Sequence, residues 1–298
     1  MIFYILYKIF NNIFFRLMTK KIGPVVYGNM GCKNFSIKSN CNIFFDTYHK
    51  TTHLGDRLFI IPILFNLQKN MIQISTNDNI LIDLYEAIYK LKFDNNFDYY
   101  DFNIVLRPSF LKKFNRNIRQ IYLDFTDTST EYLISEQVNI ILNKSLGLNQ
   151  HLKNHSVSLN QSKDENSKIV FFSNYIDSGS FRKLFIDQKK LYDKCYELKR
   201  IGYKIYHIGT ESDRCNDSKN YDFVDVDLRG KTSIIEIIEL FKNYEDLIVV
   251  SYDNFLMHLG LIYNKKTFIL FRGRFLKSNY YHHMKYVNCN FGKISGYL

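Results

Sequence analysis

Tryptophan is absent from this chain, proline occurs three times and glycine thirteen times. So few turn formers and helix breakers exclude a fibrous repeat and argue against extended disorder. Cysteine is sparse too. Cys32, Cys41, Cys195, Cys215 and Cys289 are scattered, with no C-x-x-C pair. That spacing argues against a zinc site and against a disulfide framework, and it fits a reducing cytosol. The patterns G-x-S-x-G, G-x-x-x-x-G-K-[ST], G-x-G-x-x-G and H-E-x-x-H are all missing. Their absence weighs against hydrolase, NTPase and dehydrogenase chemistry.

What is present is an ordinary globular mixture: 46% hydrophobic and 23% charged over 298 residues. That length suggests about two domains. Isoleucine, asparagine, lysine, tyrosine and phenylalanine are abundant, in the manner of AT-biased codon usage. The formal net charge is +11. It favours anionic partners such as nucleoside diphosphates or phospholipid headgroups, although the same codon bias also produces it. The cations are spread along the chain, with no basic stripe interleaved with aromatics, so no nucleic acid is expected as partner.

Residues 1–22 read as an amphipathic helix. Lys8, Asn12, Arg16 and Lys20 recur every fourth residue as a polar seam on an otherwise apolar surface. Lys8 and Arg16 interrupt the run, so it falls short of the roughly 20 apolar residues that a membrane span needs. Its positive charge follows the apolar part, unlike a signal peptide. Two readings remain: an interfacial helix on anionic lipid, or a helix packed on the protein itself or on a partner.

Beyond it, short apolar runs alternate with helical periodicity. Strands are expected at Cys41–Asp46, Met71–Ser75, Phe102–Leu106 and Ile121–Phe125, and helices at Leu54–Leu67, Leu81–Leu91 and Ser135–Leu146. His151–Ser167 has linker composition. After it come strands Ile169–Ser173, Tyr203–Ile208, Asp222–Asp227, Leu247–Ser251 and Thr267–Phe271, and helices Asp187–Arg200, Ser233–Phe241 and Phe255–Tyr263. Asn264, a residue that tolerates a left-handed backbone, is the stop signal of the last helix. The alternation predicts an α/β chain of two Rossmann-like domains, residues 23–155 and 165–275, with an aromatic and basic tail over 276–298.

Two stretches carry a resemblance. Asp253, His258, Thr267 and Phe271 stand in the register D-x-x-x-x-H, helix, strand, F. Gly55, Asp56, Leu58 and Pro62 stand as G-D-x-[LIV]-x-x-x-P on the first helix of the N-terminal half. Together they resemble the ADP-heptose:lipopolysaccharide heptosyltransferase family, glycosyltransferase family 9. There the C-terminal signature runs roughly D-[ST]-G-x-x-H-x-A-A-x-x-G-x-P-[TV]. Here Asn254 and Phe255 replace the small pair, Asn264 a Gly and Lys266 a Pro, and Arg272 follows Phe271 in place of Gly.

The resemblance implies a GT-B architecture, two Rossmann-like domains with a cleft between them and a tail packing back on the N-terminal domain. It implies an inverting, metal-independent glycosyltransferase, a hexosyl- or heptosyltransferase, that needs no cofactor beyond its nucleotide-sugar donor. The acceptor would be a bacterial lipopolysaccharide or surface polysaccharide, reached from the cytoplasm at the inner face of the plasma membrane. Asp56 would be the catalytic base, with His53 and Gly55 at the acceptor. Arg182 and Lys183 would face the donor diphosphate, and Glu211, or Asp213 two residues on, the ribose. Asp253, Asn254, Phe255 and His258 would complete the donor site. Phe255, where the family has Gly, leaves less room for close backbone approach. His282 and His283 invite a metal reading, but no carboxylate neighbours them, and no metal site is expected.

Read without the resemblance, Asp56 is an ordinary acidic residue in a first helical turn, and Arg182 and Lys183 are solvated surface cations. Two alternatives therefore stand beside the transferase. One is another enzyme of the same architecture, of fucosyl- or pyruvyltransferase type. The other is a catalytically inactive glycan-binding homologue.

Overall fold

A computed structural model describes residues 19–21, 26–29, 42–47, 54–69, 72–89, 92, 102–106, 119–123, 167–174, 188–252, 254–270 and 294–297. The chain divides into two compact units, Met1–Lys153 and Asn154–Leu298. The segment 1–18, the helix expected at Ser135–Leu146, most of the linker and tail residues 276–293 lie outside the described residues.

In the first unit the strands are β1 (Thr19–Lys21), β2 (Val26–Asn29), β3 (Asn42–Thr47), β4 (Gln73–Thr76), β5 (Phe102–Leu106) and β6 (Arg119–Leu123). The helices are α1 (Leu54–Lys69) and α2 (Asn79–Tyr89). The sheet order is β1-β2-β6-β5-β3-β4. β6, β5, β3 and β4 run parallel, whereas β2 joins β6, and β1 joins β2, antiparallel. The helix expected over residues 1–22 therefore does not reach its predicted end. Thr19, Lys20 and Lys21 pair with Asn29, Gly28 and Tyr27. Ladder pairing beside the Gly23-Pro24 breaker satisfies the backbone that a helix would otherwise have used.

Leu58, Ile61 and Leu64 of the expected α1 stripe are fully buried, while Leu54 and Phe65 are half-buried. Phe65 stacks on Tyr89 with ring centroids 4.1 Å apart. α1 runs without a break through Pro62, and it packs on α2 and β4.

The second unit contains β7 (Ile169–Ser173), β8 (Lys204–His207), β9 (Val226–Asp227), β10 (Leu247–Tyr252), β11 (Lys266–Leu270) and β12 (Ile294–Tyr297). Its helices are α3 (Lys189–Arg200), α4 (Glu211–Asn216), α5 (Ile234–Asn243) and α6 (Phe255–Ile262). The sheet is parallel throughout, in the order β12-β11-β10-β7-β8-β9. Counted along the unit this is the order 6-5-4-1-2-3 of a doubly wound dinucleotide-binding sheet. Every residue of β7 and β10 is buried, as both faces of a central parallel strand must be. The tail was expected to pack on the first unit, but its described part, Ile294–Tyr297, pairs with β11 of the second.

The helix starts follow capping chemistry. Thr210 and Asp213 form a capping box at α4, and Ser233 and Glu236 form another at α5. At the other end of α6, Asn264 adopts φ 52°, the left-handed stop that its residue type allows. Lys265, only 6% exposed, donates to the carbonyls of Tyr244 and Glu245 just past α5. Burial pushes its ammonium pKa down.

Gly260 shows how closely α6 lies on the sheet. A methyl group there would stand 2.6 Å from Thr267 Oγ1 and 3.0 Å from Val249 Cγ2. Gly260→Ala is expected to destabilise the second unit by about 2 kcal/mol through overpacking, despite the better helix propensity of alanine. Urea unfolding of the two proteins side by side measures it.

Candidate functional site

A doubly wound sheet opens its ligand crevice where the winding reverses. In the second unit that point lies between the carboxyl ends of β7 and β10, which pair from Ile169 with Leu247 to Ser173 with Ser251. Asn254 stands there as the N-cap of α6. Its Oδ1 accepts the Leu256 N–H at 3.0 Å, and its Nδ2 donates to Ser173 Oγ at 3.1 Å. One side chain thus caps the helix and ties it across the switch point.

This limits what the helix tip offers an anion. The Asn254 N–H donates to the Tyr252 carbonyl at 2.8 Å, and the Leu256 N–H is held by the cap. Of the three N–H groups from Asn254 to Leu256, two are therefore engaged inside the protein. Phe255 and His258 are half-buried on the same helix. The His258 N–H bonds the Asn254 carbonyl at 3.4 Å, closing the first turn.

Beside the switch point lies a partly buried polar cluster that periodicity does not reveal. Asn174, directly after β7, donates to Asp217 Oδ2 at 2.7 Å and to the Tyr221 hydroxyl at 2.8 Å. Its Oδ1 lies 2.9 Å from His207 Nε2 at the end of β8. Tyr221 donates to the same Asp217 oxygen at 2.6 Å. Arg229 reaches both oxygens of Asp227 and the Asp217 carbonyl. Burial, reinforced by the Arg229 cation, lowers the His207 pKa from 6.5 to about 4. The ring is therefore neutral at pH 7, and its Nε2–H donates to Asn174. Burial raises the Asp217 carboxyl, yet the bonds from Tyr221 and Asn174 hold its pKa below the ordinary value. Phe172, Tyr192 and Phe223 pack around this cluster.

Glu211 opens α4, four residues past the end of β8. Its carboxylate is exposed and held by Arg214 one turn on, which lowers its pKa. Gly230, at φ 70°, passes beneath it. A Cβ at Gly230 would lie 2.9 Å from the Glu211 Cα, so only glycine fits. Asp213, two residues on, is buried and committed to the Thr210 cap. Of the two, Glu211 alone presents its carboxylate to solvent.

In the first unit, Gly55 and Asp56 lie in the first turn of α1. Of Asp56 the structure describes the helical backbone. The next residue, Arg57, is 4% exposed, and its Nε lies 2.6 Å from Oδ2 of fully buried Asp78. Asp78 ends an S-T-N-D run ahead of an apolar helix, a pattern of cap-forming residues by which its role could have been found. Nothing in the sequence singled out Arg57. His53, Arg182, Lys183 and Asp253 lie outside the described residues.

No family model and no curated protein matches the sequence. Solved structures do match. The crystal structure of a glycosyl transferase family 9 protein from Veillonella parvula DSM 2008 superposes with a TM-score of 0.54, at 13% identity, over 89% of this chain and 88% of that one. The bacterial iron-containing dodecameric glycosyltransferase TibC from enterotoxigenic E. coli H10407 gives 0.51, also at 13% identity, over 79% of this chain and 59% of its own. The likeness establishes the fold: α/β, built from two Rossmann-like units of the GT-B type.

The buried imidazole yields a pH dependence with a definite sign. Below pH 6.5 the unfolded chain protonates His207, while the folded unit resists protonation until about pH 4. Stability of the second unit should therefore fall across that window as pH drops, by as much as about 3 kcal/mol. His207→Gln, which keeps an amide donor toward Asn174, should flatten this limb in urea unfolding at stepped pH.

Proposed function

We propose that this chain is a divergent member of glycosyltransferase family 9, an inverting and metal-independent enzyme. It moves a sugar from a nucleotide-sugar donor to a bacterial lipopolysaccharide or surface polysaccharide acceptor. One observation carries the reading. Over 89% of its length the chain shares the fold of a family 9 structure. Within that fold, the G-D pair opens the helix after the first parallel strand of one unit. His258 of the second signature lies on the helix at the switch point of the other, which Asn254 caps.

In this reaction the acceptor hydroxyl attacks the anomeric carbon from the face opposite the departing nucleoside diphosphate. A new C–O bond forms as the bond from carbon to the diphosphate oxygen breaks. Asp56 takes the hydroxyl proton as general base. Gly55 and His53 line the acceptor side. Arg182 and Lys183 neutralise the leaving diphosphate, as fixed cations do in phosphate chemistry. Glu211 accepts from the ribose hydroxyls, for which it would exchange part of its bond to Arg214. Asp253, Asn254, Phe255 and His258 form the floor of the donor site. With two of its three N–H groups engaged, the α6 tip leaves most of the phosphate charge to the loop cations. The acceptor class favours a place at the cytoplasmic face of the inner membrane, with the amphipathic segment ahead of β1 touching lipid.

A panel of ADP-, UDP- and GDP-sugars, assayed for nucleoside diphosphate release with surface-glycan acceptors, tests the proposal. Asp56→Asn should lower kcat by about 10²–10⁴-fold while nucleotide affinity stays unchanged. Unchanged transfer by Asp56→Asn overturns it. So does stabilisation by phosphoenolpyruvate or GDP compounds alone.

A further inference from the structure

The pair Arg57–Asp78 is more elaborate than the packing of two helices requires. Arg57 is 4% exposed and Asp78 is 0% exposed, with Nε and Oδ2 2.6 Å apart. Asp78 also caps α2, its Oδ1 accepting the Leu81 N–H at 3.2 Å. The Asp78 N–H donates to Thr76 Oγ1 at 3.2 Å, and the Thr76 hydroxyl donates to the Phe45 carbonyl at 2.7 Å. An unbroken run of polar contacts thus joins the first turn of α1 to the start of α2 and to the carboxyl ends of β4 and β3.

Stability is a weak reason for such a pair. Taking both charges out of water costs about as much as their attraction returns, and apolar residues of the same volume often serve as well. α1 is already held by buried Leu58, Ile61 and Leu64. Those contacts set its depth and which face is buried, but close-packed methyl groups tolerate small rotations and fraying of the first turn that a hydrogen bond does not. A hydrogen-bonded ion pair is directional. It acts in the first turn, where a helix lacks half its backbone bonds and frays.

We propose that Arg57 and Asp78 are positioning residues for the transfer reaction. They lock the rotation of α1, so that the neighbouring Asp56 meets the acceptor in a single orientation. The inference rests on Asp56 being the base. Neither residue touches substrate. Both act through the backbone of the turn.

Steady-state kinetics of the full chain with its preferred sugar nucleotide test this. Arg57→Met and Asp78→Asn should each lower kcat by about a hundredfold, the cost of a base displaced by about 1 Å. The KM for the donor should stay within about twofold, since the donor is bound by the other unit. The double variant should be no worse than either single one, as expected of residues acting as a unit. Arg57→Lys, which keeps the cation, should recover most of the rate. Should Asp78→Asn fail to fold, Asp78→Ser, which keeps a helix-capping oxygen, carries the same expectation. Folded variants with wild-type kcat and only a lowered melting temperature overturn the positioning role and leave the transferase reading intact. A wild-type chain that releases no nucleoside diphosphate from any sugar nucleotide overturns both.

Discussion

The second unit is governed by the complete burial of β7 and β10 on both faces. A sheet covered by helices on each side has no face to offer a ligand. Chemistry is forced to the edge where strands end and helices begin. That edge is also where backbone groups lack partners, so the chain must decide there which of them it satisfies itself. Here it satisfies many. Asn174 has three side-chain partners, and Asn254 caps a helix while bridging to Ser173.

This bears on how the chain departs from the pattern it resembles. A small residue followed by glycine lets a bound phosphate approach the backbone. Asn254 and Phe255 instead bring an amide that fills hydrogen bonds and a ring that fills space. In the proposed reaction, the electrostatic work of holding a leaving diphosphate would then shift from helix dipole to side-chain cation. Such a shift is physically sound, since a full charge outweighs the half charge of a helix end.

Much of the fold could be read from the residues. Ile169–Ser173 and Phe102–Leu106 form strands over the expected spans, because continuous β-branched and aromatic runs bounded by polar residues leave few alternatives. Asn264 ends α6 through a backbone preference that is local. What escaped depends on distance along the chain. Thr19–Lys21 looks helical in its own neighbourhood and becomes a strand because β2 lies beside it. Asn174 and His207 are unremarkable polar letters until residues 33 positions apart are brought within 2.9 Å. The same holds for Arg57 and Asp78, which local patterning records only as a surface-type cation and a helix cap. That an acidic residue follows β8 could be read from the topology, but which of Glu211 and Asp213 is exposed depends on the Thr210 capping box.

Lys265 alters the meaning of the +11 charge. This ammonium is spent on two carbonyls below α5, and Arg57 and Arg229 are likewise withdrawn from solvent against Asp78 and Asp227. The last two cancel locally and project no field. A count of basic letters therefore overstates what an approaching anion would feel. Long-range attraction of any anion has to come from cations at the surface, and part of the basic content of this chain is interior carpentry.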